Sequence, residues 1–82
     1  MNQGLLWYDA DPRVSPQAKL AAAAARFAER FGRRPNCCHV HPDQLFADPS
    51  FTIVPNPAVR PSYFWVGHDE ALVVRRPRKR SA

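Results

Sequence analysis

Apolar and polar residues follow one another in short blocks that prolines and glycines separate. The periodicity inside each block predicts its secondary structure. The clearest block runs from Pro16 to Phe31, where Leu20, Ala24, Phe27, Ala28 and Phe31 recur at spacings of four, three, one and three, as one helical face does. Gln17, Arg26, Glu29 and Arg30 fall mostly elsewhere around that helix. Ser15 is placed to cap its free N–H groups, and Pro16 at the first helical position forfeits no hydrogen bond. Ala21 to Ala25 is a run of the best helix former. Gly32 suits a left-handed C-terminal cap, Arg30, Arg33 and Arg34 suit the negative helix end, and Pro35 blocks continuation.

The other blocks are short, and most are rich in aromatic and β-branched residues. Leu5–Tyr8 reads as a short strand or an apolar arm across the core. Asp9 to Val14 is a loop, with Asp11-Pro12 as its turn signal. Cys37–His41 reads as a strand packed on the preceding helix, and His41-Pro42-Asp43 opens one helical turn through Leu45 and Phe46. Phe51–Val54 is a strand, and Pro55, Pro57 and Pro61 make the next loop extended and stiff. Tyr63–Val66 is a further strand, and Ala71–Val74 is expected to return beside it as an antiparallel hairpin partner. The expected fold class is α+β: one long amphipathic helix packed on a small, mainly antiparallel sheet of three to four strands, with a basic C-terminal tail. Residues 1–74 form the single domain and residues 75–82 the flexible tail. The joint Phe31-Gly32-Arg33-Arg34-Pro35-Asn36, followed by an apolar strand, resembles one in phage shell proteins, a likeness that includes no functional residue.

Composition changes this picture in two ways. At 82 residues with 45% hydrophobic content, the chain has room for one modest core. No apolar stretch approaches the roughly 20 residues a membrane helix needs. The N-terminus lacks the charge and the apolar length of a signal peptide, so the expected location is cytoplasmic. Charge is unevenly spread. Of twelve basic residues, five (Arg75, Arg76, Arg78, Lys79 and Arg80) crowd the C-terminus, and the other seven balance the seven acidic residues. The excess of +5 therefore belongs to the tail.

Three groups of residues carry candidate chemistry. The tail can neutralise several phosphates and release their counterions, with Arg33 and Arg34 extending the contact if they share its side. The expected function is a small non-enzymatic binding module contacting nucleic acid or an acidic protein surface through this tail. The plainer alternative is a solubilising tail. A second reading is a small zinc-binding domain. On a strand, Cys37, His39 and His41 would share a partly exposed face, with His68 or Asp43 as the fourth ligand. The paired signatures of zinc sites are absent, and the cofactor expected on balance is none. A thiol nucleophile at Cys37 lacks an oxyanion hole and an orienting third group. Asp9 with Asp11, and Asp69 with Glu70, look like loop carboxylates, and neither a Gly-rich phosphate loop nor a Gly-x-Ser-x-Gly elbow occurs. The third group is aromatic: Tyr63, Phe64 and Trp65, with Trp7 and Tyr8, supply core, a base-stacking platform or a partner surface. Free sheet edges leave a third reading, a homo-oligomer or a subunit of a larger assembly.

Overall fold

The computed structural model describes residues 4–72. In chain order these form β1 (Gly4–Tyr8), α1 (Pro16–Phe31), β2 (Cys37–Val40), a 3-10 turn (Pro42–Gln44), β3 (Thr52–Pro55), β4 (Tyr63–Gly67) and a second 3-10 turn (Glu70–Leu72). The helix begins and ends where its caps require. Ser15 is extended, and its side chain accepts from the Ala18 N–H. Gly32 sits at φ 72°, a left-handed conformation open to glycine without strain, and its N–H reaches the Ala28 carbonyl.

The four strands make one sheet in the order β1-β4-β2-β3. β4 is antiparallel to both β1 and β2, and β2 is parallel to β3. The expected hairpin after β4 is therefore absent. Both edges of β4 are already taken by β1 and β2, so no edge is left for a returning partner. Residues 70–72 form a 3-10 turn instead, and Val73 and Val74 lie outside the described residues. Asn36 secures this turn: its Nδ2 donates to the Asp69 carbonyl and its Oδ1 accepts from the Asp69 N–H.

Alternation along the strands gives the sheet two different faces. One face packs on α1, with Cys38, Val40, Phe64 and Val66 joining Leu20, Ala23 and Phe27 in the core. Leu5, Trp7, Phe31, Phe46, Phe51 and Ile53 pack around it. Burying each large side chain stabilises the fold by about 1.5–3 kcal/mol. The helix is rotated slightly from its expected stripe: Ala23 is fully buried, while Ala24 and Ala28 are only partly so. Among the described residues no helix covers the opposite face of the sheet, which the loop from β3 to β4 covers in part.

Candidate functional site

That second face carries Gly4, Leu6 and Tyr8 from β1, Tyr63, Trp65 and Gly67 from β4, Cys37 and His39 from β2, and Thr52 and Val54 from β3. None of these strand positions is acidic or basic at neutral pH. Leu6 and Tyr8 are 56% and 59% exposed. Two cross-strand ring pairs lie on this face. Tyr8 and Tyr63 stand opposite one another with centroids 4.8 Å apart, and His39 meets the Trp65 ring edge to face at 5.2 Å.

Sequence symmetry at the sheet end explains how Trp65 lies. Gly4 pairs with Gly67, so neither strand contributes a side chain there, and the Trp65 indole occupies the space. A Cβ at Gly4 would overlap Trp65 Cε2 and Cζ2. An aromatic ring lying over a glycine in this way replaces the packing that the glycine lacks.

The loop from β3 to β4 walls one side of the face. Asn56 Nδ2 lies 3.0 Å from His39 Nδ1, and Val59 is buried at 8% exposure. Between this loop and the strands lies a hollow of about 380 Å³, lined by Leu6, Ala58, Val59, Arg60, Tyr63 and Trp65. None of the ion pairs among the described residues involves Arg60. The carboxylates lie elsewhere and are locally engaged. Asp9, Asp11, Asp48 and Asp69 accept backbone N–H groups two residues on, while Glu29 pairs with Arg26 and Glu70 with Arg33. Arg33 and His68 both bond Glu70, which holds its carboxyl below the usual range.

The Cys/His cluster is rearranged relative to its expected geometry. The strand ends at Val40, so His41 leaves it, and its Nδ1 accepts from the Asp43 N–H at the start of the 3-10 turn. Cys37 is fully buried, not partly exposed, and its thiol contacts the Gly67 carbonyl at 3.4 Å. Desolvation pushes the Cys37 thiol up to about 11, with Asp69 adding to the effect, and burial takes Cys38 to about 12. At neutral pH both are protonated, and both are free of disulfide. His39 is held neutral by burial, its pKa lowered below the ordinary value against the pull of Asp69. His68 Nε2 lies 2.9 Å from Glu70. Among the described residues no three His, Cys, Asp or Glu side chains converge as a metal site requires.

The five tail cations, Arg75, Arg76, Arg78, Lys79 and Arg80, lie outside the described residues. Arg34 is exposed beside Pro35, away from the open face, lining a shallow hollow with Ala21, Ala24, Ala28 and Phe51. The structure thus splits the expected aromatic group. Phe64 and Trp7 serve the core, while Tyr8, Tyr63 and Trp65 share the open face. Leu6, Asn56, Val59 and Arg60 join them only through tertiary structure. The sole hint in sequence is an isolated arginine set among apolar residues and prolines in the stiff loop. No helix among the described residues is long and apolar enough to cross a membrane. No protein-family model, curated protein or solved structure matches this chain.

Proposed function

We propose that this chain is a non-enzymatic binding module for single-stranded nucleic acid, the open sheet face receiving bases while the basic tail holds the backbone. The supporting observation is the sheet face that no helix among the described residues covers, where Tyr8, Tyr63 and Trp65 stand exposed or half-buried among strand positions free of acidic residues. Aromatic rings on a sheet receive bases of any sequence, because every base has a π-face, and a cationic segment tracks the phosphates. An acidic protein would satisfy the tail but would leave the ring surface unused. A duplex hides its bases from such a surface.

The test is fluorescence anisotropy of a labelled oligothymidylate at low salt, with the matched duplex and polyglutamate as competitors. The single strand is expected to bind best. Displacement by polyglutamate at equal charge, or no binding of the single strand, would overturn this reading in favour of an acidic partner or of no anionic partner.

A further inference from the structure

The hollow beside the open face has a composition that neither a purely apolar nor a purely ionic ligand would match. Its walls are apolar or aromatic: Leu6, Ala58, Val59, Tyr63 and Trp65. Its one charged group is Arg60, which no carboxylate neutralises among the described residues. An apolar ligand would bring no counter-charge to the guanidinium. An inorganic anion would leave Leu6 and the two rings in water. A planar ring joined to an anionic group within a few ångströms uses both, since stacking rewards the flat wall and a guanidinium forks onto phosphate.

We infer that this hollow holds one nucleotide of the bound strand, its base against Trp65 and Tyr63 and its phosphate on Arg60, a proposal that rests on the nucleic-acid reading above. Two structural features prepare the site. Gly4 lets the indole lie close on β1, because any Cβ there would overlap the ring. The loop wall is fixed from below, where Asn56 bonds His39, which in turn meets Trp65 edge to face. Gly4 is thus a positioning residue, while Trp65 and Arg60 touch the nucleotide.

The experiment uses the full chain and follows tryptophan emission during titration with an eight-nucleotide oligothymidylate, thymidine monophosphate and inorganic phosphate. The oligonucleotide is expected to quench emission at low concentration and the mononucleotide at much higher concentration, while phosphate alone leaves it unchanged. Trp65→Leu should abolish the quenching and weaken oligonucleotide binding roughly 5- to 150-fold, the range one stacked base supplies. Gly4→Ala, which keeps every wall residue, should reduce both. Arg60→Ala should lower the log–log salt slope by about 0.7, one phosphate contact on a single strand, and Arg60→Lys should restore it. Arg60 is exposed, so its variants keep the test decisive if circular dichroism shows Trp65→Leu unfolded. Tight oligonucleotide binding without quenching, unaltered by Arg60→Ala, would overturn the nucleotide pocket and leave the tail-based reading standing. Absence of any binding would overturn both.

Discussion

His39 shows how one side chain links the fold to the open face. Its Nδ1 meets the Asn56 amide at 3.0 Å, which fits a neutral ring accepting from Asn56 Nδ2. Protonation would put two donors against each other, and burial already disfavours the charged form. The folded pKa is therefore below the unfolded value of about 6.5, and the unfolded chain takes up its proton first. The contribution of His39 to stability is complete above that value and is lost as pH falls through the window below it. Thermal unfolding between pH 8 and 5 should show Tm declining across this window. In His39→Asn the decline should flatten, because the amide oxygen replaces Nδ1 as acceptor without titrating. Glu70 and Asp11, both lowered by their arginine partners, lose their contribution only at more acid pH, so the two regimes separate. Parallel curves for the two proteins would show that His39 does not sense pH.

At the scale of elements, α1 is defined by its ends as much as by its apolar stripe. Ser15→Ala removes the acceptor for the Ala18 N–H and should cost about 1 kcal/mol. Gly32→Ala forces a side chain into φ 72° and should cost about 1–2 kcal/mol. Urea titrations should show lower midpoints with unchanged slopes, and no midpoint shift in either variant would refute the capping account. These caps are local signals, which is why the bounds Pro16–Phe31 were legible in the sequence. The strands were legible to within a residue or so, with Leu5–Tyr8 left open between a strand and an apolar arm, since each is a short block without strong helix signals between breakers. Their order was not. Local turn chemistry pointed Tyr63–Val66 toward a hairpin with Ala71–Val74, whereas β4 finds its partners across long sequence separations in β1 and β2. The site shares that limit. Alternation alone separates Tyr63 and Trp65 from Phe64. Which face the helix covers, and that Arg60 and Leu6 meet there, depend on the assembled sheet. The expected shared face of Cys37, His39 and His41 was not met: β2 ends at Val40, which releases His41, and Cys37 at the other end of the strand is buried beside Gly67.

For the whole molecule, the decisive quantity is how charge is divided between body and tail. The seven basic and seven acidic residues before position 75 balance, and the five tail cations supply the full excess. Counterion release then gives a specific expectation. Each phosphate contact on a single strand contributes about −0.7 to the slope of log affinity against log salt. Five tail contacts and one at Arg60 predict a slope of roughly −4, equivalent to a few hundredfold loss of affinity between 50 and 200 mM salt. A chain ending at Val74 retains Arg60 and should show a slope of about −0.7 with much weaker binding at low salt. Stacking on Trp65 carries no counterion cost, so tryptophan quenching by the oligonucleotide at saturation should be the same in both proteins. The two contributions are thus expected to separate in one titration series, the tail setting the salt dependence and the sheet face the optical signal. A steep slope in the shortened chain would place the phosphate contacts on the body instead, and the even balance of its charges would then have to be broken locally by Arg33, Arg34 and Arg60.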